Sequence, residues 1–292
     1  MTASHDIAIV TASHAADFER CKLLCETIDR HVSGYTRHLI LVAGNDVALF
    51  RGLEGPNREI VDERDILPSW LHDLPDPFSF FRRHIWLSTR TAPLRGWHVQ
   101  QLRRIAIAGH AGETALLYCD SDVAFLKPFD CVRLFHGSDL RLFRRDFQLS
   151  APGYEEQIRW SNAAGRVLGL GADVAPEHDY IGTVIAWKSQ MVRAMCAHIE
   201  AQNDAHWVAA IGRSRQFSEC MIYGRYVDDL CGGEGHFHDA TDFCRVYWSG
   251  PRMGESEIRR FAQSLAPGQV AVGLQSFIGM DVGQIRSILA GV

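Results

Sequence analysis

The sequence predicts an α/β fold, with a mostly parallel central sheet flanked by helices. Short, wholly apolar runs such as Ile7-Ala8-Ile9-Val10 and Leu39-Ile40-Leu41-Val42 have the form of strands buried on both faces. Between those runs Phe18, Cys21, Leu24, Cys25 and Ile28 recur at helical spacing. The alternation persists along the chain, and repeated βα units of this kind make parallel sheets with right-handed crossovers.

The elements follow in order. After Leu39–Val42 the turn Gly44-Asn45-Asp46 closes the second strand, and Glu59-Ile60-Val61 offers a weaker third. From Asp65 to Trp97 the pattern breaks, with Pro68, Pro75, Pro77 and Pro93 among Trp70, Phe78, Phe80, Phe81 and Trp86. That stretch is too aromatic for a disordered linker and reads as an ordered insertion packed on the core, or as an acceptor-binding wall. A helix is expected from Trp97 to Ala108, with Val99, Leu102, Ile105 and Ala106 inward. Ala115-Leu116-Leu117-Tyr118-Cys119 is the most apolar strand and delivers Asp120-Ser121-Asp122; Lys127-Pro128 ends the excursion.

Leu140–Phe143 reads as a strand, Glu155–Leu168 as a short helix, and Tyr180–Trp187 as another strand. Ser189 is expected to cap a helix carrying Val192, Met195, Cys196 and Ile199 inward. A shorter helix is expected from Phe217 or Ser218 to Tyr226, then a polar loop from Cys231 to Asp242 and a last strand over Cys244–Trp248. Two amphipathic helices between about residues 255 and 292 close a single expected domain.

Composition narrows the class. The formal net charge of −5 gives no reason to expect a nucleic-acid partner. Apolar runs are strand-length, far short of the roughly 20 residues of a membrane span. Met1-Thr2-Ala3-Ser4-His5-Asp6 is polar, so no secretory leader is expected. The eight cysteines are scattered and form no C-x-x-C pair, which argues against structural zinc and for a reduced, cytoplasmic protein.

Asp120-Ser121-Asp122 carries the strongest chemical signal. Strand periodicity puts Asp120 and Asp122 on one side, with Ser121 opposite. Two carboxylates so close repel unless a cation compensates, and Mg²⁺ or Mn²⁺ with oxygen ligands is the natural compensation. In open α/β sheets ligands bind at the carboxyl ends of strands, where this pair lies. The bland alternative is a solvated turn.

Together with Gly96-Trp97, Gln100-Gln101, Arg104, Phe217-Ser218-Glu219, Tyr223-Gly224 and Tyr226-Val227, the acidic pair resembles the metal-dependent glycosyltransferases of the GT-A type. More narrowly, the chain looks like a group of bacterial glycosyltransferase-like proteins. The resemblance implies a GT-A-like nucleotide-diphospho-sugar transferase fold, and a metal on Asp120 and Asp122 bridging the diphosphate of a nucleotide-sugar donor. It also implies transfer of a sugar to a glycan or other hydroxyl acceptor. In that arrangement Thr11 and Ser13 offer hydroxyls to base or ribose and Arg20 reaches phosphate, with helix capping by Ser13 or Asp17 as the equal alternative. Asp46 binds ribose or makes an Asx turn. Gln101 and Arg104 share a helical face and are tilted toward the donor, leaving Arg103 on the solvated face.

A third metal ligand is sought in Gly235-His236-Phe237-His238, where His236 is favoured over His238. Glu219 is the favoured base for an inverting transfer and Asp179 its rival; a first-turn glutamate serving the helix dipole is the alternative, and a retaining transfer needs no base. A nucleotidyltransferase also uses paired aspartates, but no Gly-rich, Lys-bearing phosphate loop follows the first strand. A non-catalytic nucleotide-sugar-binding protein is the remaining rival.

Overall fold

The computed structural model describes residues 5–80, 83–171, 173–289 and 291. Phe81 and the segment Met1–Ser4 lie outside the described residues. The central sheet has five strands in the order Val184–Lys188, Ala115–Cys119, Ile7–Ala12, Arg37–Val42, Arg58–Asp62. The last four run parallel, and Val184–Lys188 joins antiparallel at the edge. The fold is therefore α/β with a mostly parallel central sheet, as the alternating apolar pattern requires.

Period-two alternation explains why the central runs are apolar throughout. Ala8, Val10, Leu116 and Tyr118 face one core, which the helix Gly96–Ala106 completes with Val99, Leu102 and Ile105. Ile7, Ile9, Leu117 and Cys119 face the other, against Leu24 and Ile28 of the helix Phe18–His31. Both faces are covered, so a polar residue at these positions needs a buried partner, as Thr11 finds in His38.

The aromatic insertion is ordered. His72–Pro75, His84–Leu87 and Leu94–Arg95 form a separate antiparallel sheet. Trp86 on its inner face is buried, donates its indole N–H to Glu63 (3.1 Å) and lies under the Arg103 guanidinium. Arg103 is itself buried and paired with Glu63, so it is not on the solvated helical face expected for it.

Several boundaries differ from expectation for identifiable reasons. Tyr180–Thr183 does not continue the edge strand, which begins at Val184. Asp179 instead bridges to Arg145, and the Tyr180 ring is laid over Gly224. Ser189 is the first helical residue rather than the cap, and Lys188 holds the cap position. The expected loop Cys231–Asp242 contains the strand His236–Asp239, paired parallel to Asp139–Phe143. Cys244–Tyr247 is not the last strand either, because Ala271–Leu274 follows it and links it to Val123–Phe125. Both C-terminal helices are present, over Glu255–Gln263 and Val282–Leu289. No helix among the described residues is long and apolar enough to cross a membrane.

Gly224 gives a direct test of this packing. A Cβ there would sit 2.1 Å from Cγ of Tyr180. Gly224→Ala would gain up to about 1 kcal/mol of helix propensity at an open site. Here overpacking is expected to dominate and to destabilise by about 1–3 kcal/mol net, read from the urea midpoint.

Candidate active site

The parallel register brings the carboxyl end of Ala115–Cys119 to the same sheet edge as the ends of Ile7–Ala12 and Arg37–Val42. There the chain reverses: the Val123 amide donates to the Asp120 carbonyl at 3.2 Å, and Val123–Phe125 runs on into the sheet with Ala271–Leu274. Asp120 and Asp122 thus occupy a turn, not an extended strand, and meet different neighbours. Asp120 Oδ1 lies 3.6 Å from Arg104 Nη1. Asp122 Oδ2 accepts from the Ser276 amide at 3.1 Å, and its backbone carbonyl accepts from the Leu274 amide at 3.1 Å. Asp122 Oδ1 is buried with no hydrogen-bond partner among the described residues. Ser121 between them is buried.

The electrostatics follow from that geometry. Burial, and then the charge of Asp120, push the Asp122 carboxyl up to about 7. Burial likewise raises Asp120, and Arg104 partly offsets it. Two carboxylates share a site that holds too little positive charge, and one of their oxygens has no donor. A hard divalent cation fits that deficit. Among the described residues no group of three or more His, Cys, Asp and Glu side chains is arranged to hold a metal. The fit is therefore to a cation with two protein carboxylates and its other positions filled by water or phosphate, as is usual for Mg²⁺.

Behind the turn, Arg104 binds two acids at once. Its Nη1 is 3.0 Å from Glu219 Oε1 as well as near Asp120, and its guanidinium lies over the Tyr118 ring. Tyr118 in turn donates its hydroxyl to the Arg104 carbonyl at 2.8 Å. Burial alone would lower the guanidinium pKa, but Glu219 and Asp120 carry it above its ordinary value. Glu219 is buried, which raises its pKa, while Arg104 pulls it down. Gln101 caps the helix that Glu219 opens: its Oε1 accepts from the Glu219 amide at 3.0 Å. Gln101, Arg104 and Glu219 are thus brought together as expected, but they engage one another.

Most of the remaining expected donor residues bond to other parts of the protein. Thr11 is fully buried with its hydroxyl 2.9 Å from His38 Nε2. Ser13 is buried and its amide donates to Leu41 (2.9 Å), while its Oγ has no hydrogen-bond partner among the described residues. Neither Ser13 nor Asp17 caps the following helical segment; Asp46 does so from the next strand, its Oδ2 accepting from the Ala15 amide at 2.9 Å. Arg20 donates to the carbonyls of Leu274 (3.3 Å) and Met280 (2.8 Å), clamping the C-terminal segment. Arg20 also lines an open cleft of about 860 Å³, bounded by His14 and Asp17 on one side and by Arg252, Ser276 and Asp281 on the other.

The C-terminal wall of that cleft was not expected from the sequence. It depends on Ala271–Leu274, four residues interrupted by Gly273, which carry too weak a strand pattern to recognise. The one local signal is Gly279, whose φ of +74° marks a turn a side chain would strain.

Asp179 and His236 are both fully engaged elsewhere. Asp179 is buried, with Oδ2 accepting from Arg145 Nη1 (2.9 Å) and Oδ1 from the Ile181 amide (3.1 Å). His236 is a correction, because it lies at the opposite end of the sheet from the acidic pair. Tyr223 accepts from the Lys188 amide and donates to His236 Nε2, both at 2.9 Å, and His236 Nδ1 donates to the Glu234 carbonyl at 2.9 Å. Lys188 pairs with Ala115 at the start of the acidic strand, about 13 Å from its far end at the usual rise. Burial lowers the His236 pKa to about 4, so the imidazole is neutral with both nitrogens used. His238 is held by Asp228 at 2.8 Å.

A model of the family described as "Family of unknown function (DUF6492)" matches residues 6–264. The chain belongs to that family. The family match spans the acidic turn and Glu219, and it ends before Ala271–Leu274 and the C-terminal wall of the cleft. No curated protein matches the chain. Among solved structures, the chain is similar to the galactosyltransferase LgtC in complex with donor and acceptor sugar analogues. Identity there is 14%, coverage 98% of this chain and 96% of that one, and the TM-score 0.49. A structure of an active-site mutant of LgtC is similar at 15% identity, with coverage of 97% and 95% and a TM-score of 0.48.

Proposed function

We propose that this DUF6492 chain is a metal-dependent glycosyltransferase, one catalytic domain that moves a sugar from a nucleotide-sugar donor to a glycan or other hydroxyl acceptor. The observation that carries the reading is the buried, unpartnered Oδ1 of Asp122 beside Asp120, at the carboxyl edge of a parallel sheet. Its neighbour Ser276 lines a cleft of about 860 Å³, within the range of small-molecule sites. In this reading Asp120 and Asp122 hold Mn²⁺ or Mg²⁺ against the donor diphosphate. A cation so held supplies Lewis-acid stabilisation of the charge that builds on a departing nucleoside diphosphate.

The chain's own residues then have distinct tasks. Arg104 fixes the Asp120 carboxylate from behind and offsets part of the cost that burial puts on a charged Glu219. Gln101 holds the start of the Glu219 helix in place. Arg20 ties the C-terminal wall to the first helix, which sets the width of the cleft. With Glu219 committed to Arg104 and Asp179 to Arg145, neither carboxylate is assigned as the base.

The test is thermal shift with nucleoside diphosphates and their sugars, with and without Mn²⁺. Stabilisation by the nucleotide that requires the metal, and that an Asp120→Ala, Asp122→Ala double variant loses, is the expected result. A double variant that binds donor and metal like wild type sinks the proposal. In turnover, release of nucleoside diphosphate separates sugar transfer from nucleotidyl transfer, which releases pyrophosphate.

A further inference from the structure

The three-stranded insertion has two unlike faces. Cross-strand pairing puts Asp73, Trp86 and Leu94 on the inner face, where Trp86 and Leu94 are buried. The outer face carries Leu74 opposite Ile85, and Leu87 opposite His72. Leu74 is 44% and Leu87 36% exposed, so this face is apolar and uncovered. Single exposed apolar residues need no explanation, but a contiguous group does.

The hairpin tip extends that group. Phe78 and Phe80 are 89% and 82% exposed, more than any other large apolar side chain among the described residues. They are held there by a closed hydrogen-bond pattern. Buried Asp76 accepts from the Phe78 amide (3.0 Å), Ser79 Oγ donates to the Asp76 carbonyl (2.9 Å), and Ser79 Oγ accepts from the Arg83 amide (3.0 Å). Phe80 has a φ of +53°, a left-handed conformation that bulky side chains rarely adopt. The described backbone of the tip thus presents two phenylalanines to solvent.

Charge identifies what covers this face. The whole chain is acidic at −5, yet residues 71–97 contain four arginines and two acids. Neither acid faces outward as a free charge: Asp76 is buried, and Asp73 is tied to His84 at 2.6 Å. Arg83 beside the tip and Arg95 opposite Ile85 are exposed. Exposed phenylalanines flanked by arginines, on an otherwise acidic protein, match the interface of an anionic bilayer, where apolar groups enter the acyl boundary and cations meet the headgroups.

We infer that the outer face and tip of the 72–95 insertion dock on an anionic lipid surface, with Phe78 and Phe80 entering the interface and Arg83 and Arg95 on the headgroups. The inference is independent of the proposed chemistry. It assigns the insertion an attachment role, and a catalytic site on such a protein would be held near whatever the membrane carries.

The test is co-sedimentation of the full chain with vesicles of phosphatidylcholine alone and of phosphatidylcholine with phosphatidylglycerol. Wild type is expected to pellet with the anionic vesicles at low salt and to be released by high salt. Phe78→Ser with Phe80→Asn, and separately Arg83→Glu with Arg95→Glu, are each expected to weaken binding about tenfold or more with unchanged thermal melting. These side chains are exposed, so the variants keep the core intact. Wild type left in the supernatant with both vesicles overturns the inference, as does either variant binding like wild type. A stable dimer in sedimentation velocity that the phenylalanine variant dissociates also overturns it, by making a second copy the occupant.

Discussion

Arg104→Ala is expected to cost about 3–5 kcal/mol of stability, the usual loss when one partner of a buried ion pair is removed. Arg104 is buried and serves Glu219 and Asp120 through the same Nη1 atom, at 3.0 and 3.6 Å. Without it, Glu219 keeps the amides at the start of its helix but loses its counter-charge. The loss should shrink in acid. Glu219, already raised by burial, would be raised further, and a carboxyl with a raised folded pKa contributes stability at low pH that disappears as pH rises through that pKa. The variant should therefore fall furthest below wild type at pH 8 and least at pH 5, measured by urea unfolding at both values. Glu219→Gln should cost less, because Arg104 retains Asp120. The double variant should cost less than the sum of the two, since one pair is being removed twice. Additive losses, or no pH dependence, would show that the pair does not act as a unit.

The parts of the fold that could be read from the sequence are those where burial on both faces leaves an unbroken apolar run. Ile7–Val10 and Ala115–Cys119 are such runs, and the helix Glu155–Leu168 is where its apolar spacing puts it. Two of the strands that escaped notice are His236–Asp239 and Ala271–Leu274. The first is polar and gains its partner only because Asp139–Phe143 lies alongside; the second is short and contains a glycine. Strand formation in both is set by neighbours rather than by their own residues.

The site was legible in the same unequal way. Asp120 and Asp122 could be located because a buried strand leads into them, and helical spacing placed Gln101 and Arg104 on one face. What spacing could not convey is which groups bond to which. Arg103 looked solvated because nothing local shows that Trp86 and Glu63 close over it. Thr11 and Arg20 looked available because their partners, the His38 ring and the Leu274 and Met280 carbonyls, come from distant segments. His236 had ligand-like spacing to His238, but period two describes any strand, and here it describes one whose histidine belongs to Tyr223.

If the acidic pair holds a cation as proposed, stability itself reports the binding. The Asp122 carboxyl is pushed up to about 7, against about 3.9 in an unfolded chain. The folded state therefore binds that proton more tightly, so the stability it contributes is fully present below about pH 4 and is lost as pH rises through about 7. For a half-buried carboxyl coupled to Asp120 the whole change is on the order of 2–4 kcal/mol. Metal-free wild type should become less stable between pH 5 and pH 8, and Asp122→Asn, which keeps the shape and removes the charge, should flatten that slope and exceed wild type at pH 8. Mn²⁺ should reverse the order. At a hundred times its dissociation constant it should add about 2.7 kcal/mol to wild type at pH 8 and little to the variant. Its apparent affinity for wild type should fall about tenfold per pH unit below 7, because one proton competes for the site. Melting curves at both pH values, with and without Mn²⁺, give all four quantities. A Mn²⁺ shift that does not depend on pH, or one that survives in Asp122→Asn, would place the cation elsewhere on the molecule.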